Sequence, residues 1–293
     1  MIIKKTTSQR IFTILNYTFF ALLTVAMIFP FWNILMMSFS EPIAAQRGGI
    51  FLAPRNATIQ TYQSVFKNQM IFTGFGTSIF VTGLGTFIGL ALTAMAAFAL
   101  SKSRLRGGSM ILYLILFTML FNGGMIPNYM LIRNLGLLDN RWALILPNLV
   151  NAYNLIIMRN FFLGLPPSLE ESARIDGAND ARVFFQIVLP LSKASLATIG
   201  LFIAVGYWND YFSTVIYITS TEKWSLQAVL RFLLTNTQQA MAQAGVSTTA
   251  GITVTAQTIK AASIIVTTVP ILIIYPFVQK YFVTGVTLGG VKG

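Results

Sequence analysis

Cysteine and histidine are both absent from this 293-residue chain, and acidic residues number only 8. Their absence excludes disulfides, thiolate nucleophiles, zinc-finger and HExxH metal sites, and any Ser-His triad. No GxxxxGK[ST] phosphate loop is present, so the chain is expected to bind no nucleotide, hold no cofactor or metal, and be no enzyme on its own. Charged residues of any kind make up 10% of the chain, too few to solvate the surface of a soluble protein of this size. What is abundant is apolar: 55% hydrophobic residues and a mean hydropathy of +0.70. A lipid bilayer is the natural solvent for such a composition. The net charge of +12 comes from Lys and Arg scattered through short polar gaps rather than gathered on a stripe with stacking aromatics. That distribution fits orientation against a membrane and argues against nucleic acid.

Long apolar runs predict six spans, approximately over 11–37, 71–100, 109–131, 142–163, 194–219 and 261–282 of one transmembrane domain, 11–293. The first run is too long for the apolar region of a cleaved signal and reads as the first span. Residues 1–10 and the C-terminus are expected on the cytoplasmic side. Lys4, Lys5 and Arg10, the tight cluster Lys102, Arg104 and Arg106, and the basic residues near the fourth and fifth runs then fall inside. Three connections are too long for turns. Residues 40–70 and 220–260 would lie outside and 164–193 inside. The outer one carries Leu226, Val229, Leu230 and Leu233 at helical spacing, which predicts an amphipathic helix.

The inner connection is chemically unusual, because four of the acidic residues fall within it: Glu170, Glu171, Asp176 and Asp180. Ser168 followed by Glu171 predicts a capping box at a helix start, with acid at the positive end of the helix dipole. Gly177 supplies a left-handed stop, and Asn179 or Asp180 can cap a second short helix through Phe184, Phe185, Ile187 and Val188 before Leu189 and Pro190. A pair of helices resting on the headgroups is the plain alternative. Acid beside anionic lipid is disfavoured, which turns the expectation toward a protein partner.

Glu171-Ser172-Ala173, Asp176-Gly177-Ala178 and Ile187-Val188-Leu189-Pro190, at their mutual spacing, resemble the EAA motif of binding-protein-dependent ABC importer permeases. The resemblance covers the whole chain. Phe121 to Pro127, Leu135 to Asp139 and Asn154 to Phe162 are similar to the carbohydrate branch, including maltose-type and alginate-like permeases. It implies an all-α, type I importer permease bundle of six spans in a bacterial inner membrane, with 164–193 as the cytoplasmic coupling loop that carries the coupling helix. The implied partners are a homologous second permease or a second copy of this chain, two ATPase subunits that carry the ATP and Mg, an extracytoplasmic solute-binding protein and a saccharide substrate. By this resemblance Glu170, Glu171, Ala173, Asp176, Gly177, Ala178, Ile187, Leu189 and Pro190 form the ATPase dock. Glu171 would make polar contacts, Ala173 permit close approach and Gly177 set the turn. The tail Gly289, Gly290, Val291, Lys292 and Gly293 would reach the ATPase dimer, and part of 220–260 would enter the binding protein. Two departures stand out. Ser172 fills the second motif position, and Ala194 follows Lys193 where many members have proline.

Polar residues within apolar runs have two readings. Asp210, with Tyr207, Trp208, Asn209 and Tyr211, is either beside the sugar path or part of a helix-locking pair, since a charge at membrane depth needs a partner or a cavity. Asn151, Tyr153 and Asn154 are open to the same choice. Gly74, Gly76, Gly83, Gly85 and Gly89 on the second run favour close helix packing over a flexible gate. An ion-driven secondary transporter is the rival from another class. It would call for several membrane-depth acids or broken helices, where the sequence offers Asp210 alone.

Overall fold

The computed structural model describes residues 6–235 and 255–290. Among these residues all regular structure is helical, arranged as two compact units: 1–68 with 232–268, and 69–231 with 269–293.

In the first unit, α1 (Thr7–Ser38) opens on a capping box between Thr6 and Gln9, and at about 1.5 Å per residue it is roughly 48 Å long. After it come α2 (Pro42–Gln46) and α3 (Gln60–Lys67), so 40–70 is an ordered segment rather than a slack loop. Ser38 Oγ lies 2.7 Å from the Tyr62 hydroxyl, and Asn56 Nδ2 donates to Glu41 at 2.7 Å.

The second unit is built around α4 (Gln69–Ser101), an unbroken helix of 33 residues. It packs on α8 (Ala152–Leu163) and on α12 (Lys193–Asn209), with Val81, Ala97, Met158, Ile199 and Ile203 in the shared core. Two glycines make the approach possible. A Cβ at Gly85 would lie 2.6 Å from the Tyr207 ring, and one at Gly89 would lie 2.6 Å from the Leu149 carbonyl oxygen. Gly76 and Gly83 meet nothing within 4 Å, so the packing reading holds for part of the glycine series only.

Each predicted run is helical, but three of the six are interrupted. Among the described residues only α1 and α4 are single helices long and apolar enough to cross a membrane unaided. The third run breaks into α5 (Gly108–Leu120) and α6 (Met125–Asn134), which meet at 114°. Gly124 takes φ +89, and the Asn122 side chain accepts its N–H at 2.9 Å, a turn that continuous helix cannot accommodate. The fourth run begins with α7 (Trp142–Ile145) and a tight turn through Pro147. It restarts at α8, where Asn151 Oδ1 accepts the N–H groups of Tyr153 and Asn154 at 2.9 and 3.2 Å. The fifth ends at Asn209, then resumes as α13 (Phe212–Tyr217). Asp210 therefore sits at a helix break, not mid-helix. Its carboxylate accepts the Ser213 N–H at 3.1 Å, and its carbonyl accepts the Ser225 hydroxyl at 3.1 Å. The predicted amphipathic helix forms as α14 (Leu226–Thr235), while 236–254 lies outside the described residues. The last run is one helix, α15 (Ala256–Gly290), containing Pro270 and Pro276.

Candidate functional site

The acidic segment folds as an elbow. α9 (Pro167–Ile175) is followed by α10 (Asp180–Val183), a wide turn over Phe184–Val188 and α11 (Leu189–Leu191), which then meets α12 at 84°. The predicted capping box at Ser168 does not form. Pro166 is the cap and Pro167 the first helical residue, because a fixed φ and a missing N–H suit proline to that place. The Ser172 hydroxyl instead donates back to the Ser168 carbonyl at 2.9 Å, and Glu170 rather than Glu171 occupies the first turn. The stop is as the sequence reads. Gly177 has φ +78, its N–H reaches the Arg174 carbonyl at 3.0 Å, and the Ala178 N–H reaches that of Ala173 at 2.9 Å. These two bonds satisfy the last carbonyls of α9. Asn179 caps α10, accepting the Arg182 N–H at 2.9 Å. The helix does not stop before Leu189, but runs through Pro190 to Leu191.

The elbow residues divide into two sets. Ala173, Ala178 and Leu189 pack on the core that includes buried Val183, Phe184 and Val188, and the Phe98 and Phe184 rings lie 5.1 Å apart. Ile187 is half-buried and Pro190 exposed. Glu170 pairs with Lys102, and Asp180 pairs with Arg104 and, at 2.7 Å, with Arg174. Burial pushes the Asp180 carboxyl up, but hydrogen bonds from the two arginines outweigh it and hold it below its ordinary value. Glu171, Ile175, Asp176 and Gly177 remain exposed, Ile175 at 87%. Sequence reasoning missed Ile175, Lys102 and Arg104. The four-residue step from Glu171 to Ile175, which places them on one helix face, signals the first. The basic cluster expected on the same side as the acids signals the others.

A cavity of about 840 Å³ opens among α5, α8, α12 and α13. That is in the upper part of the ~300–1,000 Å³ typical of ligand sites. Asn151, Tyr153, Asn154, Tyr207, Asn209 and Asp210 line it, as do Asn122, Asn148, Thr118 and Ser213, which the sequence did not single out. Trp208 and Tyr211 do not line it. Trp208 is buried edge-on against Phe75 at 5.9 Å, and Tyr211 lies under the Arg231 guanidinium at 5.5 Å. Several lining groups also hold the fold. Asn151 caps α8, the Tyr207 hydroxyl donates to the Ile145 carbonyl at 2.9 Å, and Asp210 caps α13. Tyr153 presents an exposed ring. Amides, hydroxyls and aromatic rings in one concave wall suit a ligand rich in hydroxyl groups.

A second polar cluster ties 135–141 to 217–223. Asp139, at φ +56, accepts the Thr219 and Ser220 N–H groups at 3.1 and 2.8 Å and the Ser220 hydroxyl and Lys223 ammonium at 2.7 Å each. The Lys223 bond, then those from Ser220, hold the Asp139 carboxyl well below the usual carboxylate range. Of the expected tail residues, Gly289 and Gly290 end α15, and Val291, Lys292 and Gly293 lie outside the described residues.

A multi-pass helical membrane protein with a polar elbow at one end of α8 and α12 and a polar cavity at their other end has the architecture of a transport permease. Residues 89–288 match the family described as binding-protein-dependent transport system inner membrane component, and the chain belongs to that family. It is 42% identical over 288 residues to the polygalacturonan/rhamnogalacturonan transport system permease protein YtcP of Bacillus subtilis, covering 97% of this chain and 99% of that one. It is 29% identical over 282 residues to the arabinooligosaccharides transport system permease protein AraQ of Halalkalibacterium halodurans, covering 94% of each. Among solved structures it is similar to a bacterial ABC transporter involved in the import of the acidic polysaccharide alginate. That match has a TM-score of 0.88 and 35% identity, and covers 95% of this chain and 99% of that one. The fold is that of a type I importer permease.

Proposed function

We propose that the chain is one transmembrane subunit of an ATP-driven importer that moves an oligosaccharide or polysaccharide fragment across the bacterial inner membrane. The elbow carries this reading. Two short capped helices fixed by packed alanines and ion pairs leave Glu171, Ile175 and Asp176 bare, which is the form a rigid docking element needs. A separate ATPase pair, holding ATP and Mg, seats this face on the cytoplasmic side, with Ile175 as the apolar anchor and the acids around it. Closure of that pair draws the elbows together and turns the cavity between inward and outward access. Both termini lie in the cytoplasm, and the tail Gly289, Gly290, Val291, Lys292 and Gly293 reaches the ATPases. A homologous second permease completes the path, and an extracytoplasmic solute-binding protein delivers sugar to the side bearing 220–260. The amide-rich cavity and the polysaccharides after which YtcP and the alginate transporter are named support a saccharide cargo.

The test is uptake into proteoliposomes holding the complete complex and its binding protein, with end-labelled oligogalacturonate and maltooligosaccharide compared. Uptake of at least one sugar is expected only with ATP inside. Uptake driven by a sodium or proton gradient without ATP would end this reading. Replacing Ile175 with Lys is expected to reduce ATPase co-purification by roughly tenfold, the effect of losing about 1.4 kcal/mol from an interface. Undiminished recovery would remove Ile175 from the dock.

A further inference from the structure

The pairing of Lys102 with Glu170 uses groups that docking alone does not need. Lys102 follows directly on the last turn of α4, and its N–H bonds the Ala99 carbonyl at 3.2 Å. Its ammonium meets the Glu170 carboxylate on α9 and lies 4.1 Å from the centre of the Phe98 ring. The two charged side chains are 15% and 20% exposed, so water screens them little. Beside them, Arg159 of α8 donates to the Leu100 carbonyl at 2.9 Å and fixes the same end of α4. The Phe98 ring in turn packs at 45° against that of Phe184 in the elbow.

We propose that the Lys102–Glu170 pair is the strut that carries movement of the elbow into α4 and so into the wall of the cavity. The proposal rests on the importer reading above. The covalent routes out of the elbow are compliant. One passes through a wide helical turn and an 84° bend into α12. The other enters α8, which ends at the break around Pro147 and Asn151. α4 has no such break over its 33 residues. It touches the cavity wall where side chains cannot yield, with Gly85 on the Tyr207 ring and Gly89 on the Leu149 carbonyl. A push at Glu170 therefore reaches Tyr207 and the Asn148–Asn151 turn along one stiff rod. Close-packed interiors transmit such displacements rather than absorb them. Lys102 and Glu170 are positioning residues in this scheme.

The chain has no cysteine, so a Thr118→Cys variant places its single thiol in the cavity wall. In the complete complex in nanodiscs, the rate at which a hydrophilic maleimide modifies this thiol is measured without nucleotide and after trapping with ATP and vanadate. No sugar is required. The parent is expected to change rate by roughly fivefold or more, the scale of ordinary coupling between sites. Lys102→Glu and Glu170→Lys should each flatten that response. The double exchange should restore it, and Lys102→Arg should keep it. Glu170→Gln, which keeps the side chain's size, serves if a reversed charge prevents assembly, and it too should flatten the response. Single variants that respond like the parent would overturn the strut, as would a double exchange that stays flat. A parent with no nucleotide response would instead sink the importer reading, and the strut with it.

Discussion

Adding one methyl group at Gly89 should open the cavity wall. The new Cβ would lie 2.6 Å from the Leu149 carbonyl oxygen, where a carbon–oxygen contact relaxes at about 3.3 Å, so the backbones must separate by about 0.7 Å. The clashing atom is backbone and cannot rotate away as a flexible side chain would. Overpacking of this kind costs about 1–3 kcal/mol. Alanine also gains roughly 0.5–1 kcal/mol over glycine inside a helix, which would blur the comparison with the parent. Gly83 removes that ambiguity. It lies in the same helix, meets nothing within 4 Å, and its alanine variant collects the same propensity gain without the clash. The melting difference between Gly89→Ala and Gly83→Ala therefore isolates the packing cost. At roughly 2–4 °C per kcal/mol for a unit of this size, it should be about 2–12 °C, read from the emission of the four tryptophans in detergent. Leu149 stands between cavity residues Asn148 and Asn151, so ATP-driven uptake should fall with it. Two variants melting within a degree of each other would refute the close approach.

Tyr207→Phe leaves the Ile145 carbonyl without its 2.9 Å partner and should cost about 1 kcal/mol, seen as a lower melting point. Asp210→Asn keeps an acceptor for the Ser213 N–H and should preserve stability, whereas Asp210→Ala should lose about 1 kcal/mol with the cap. If Asn also preserves uptake, the carboxylate acts only as a cap, and a selective fall in uptake places its charge against the sugar. For Asp139 the folded pKa is depressed below its ordinary 3.8, so its stabilising contribution is present above 3.8 and is lost as pH falls through the lower folded value. Amide exchange at Thr219 and Ser220, corrected for intrinsic rate, should stay equally protected from about pH 8 to about pH 5, and Asp139→Ala should expose both throughout.

The fold was legible where composition or motif leaves one physical choice. Apolar runs long enough for a bilayer gave the helices, and the glycine after Asp176 gave the left-handed stop that L side chains rarely adopt. The interruptions were harder to see. Asn122, Pro147 and Asp210 each end a helix inside a longer apolar run, because one capping side chain or one missing N–H decides the break. Hydropathy averages over about twenty residues, and such breaks are local. The cavity was partly legible for the same reason. Polar residues in apolar runs marked Asn151, Tyr153 and Asp210, but Trp208 and Tyr211 share the sequence neighbourhood of Asp210 and are turned toward Phe75 and Arg231 by the break. The capping box at Ser168 failed because a neighbouring proline competes for the helix start, and a fixed φ wins over a hydroxyl.

Scarcity of acid makes each carboxylate informative. Glu41 accepts from Asn56, Asp139 clasps two loops, Asp210 caps α13, and Glu170 and Asp180 bind the basic cluster after α4. On the elbow that leaves Glu171 and Asp176, whose carboxylates have no hydrogen-bond or ion-pair partner among the described residues. They stand on either side of Ile175, the most exposed large apolar side chain of the elbow. Exposed isoleucine alone would suit lipid as well as protein. Flanked by two carboxylates it does not, because anionic headgroups repel acid while a basic or hydrogen-bonding protein groove accepts it. The charges that hold the elbow and the charges that present it are thus different residues. Exchanging the first set should disturb transmission, and exchanging the second should disturb docking.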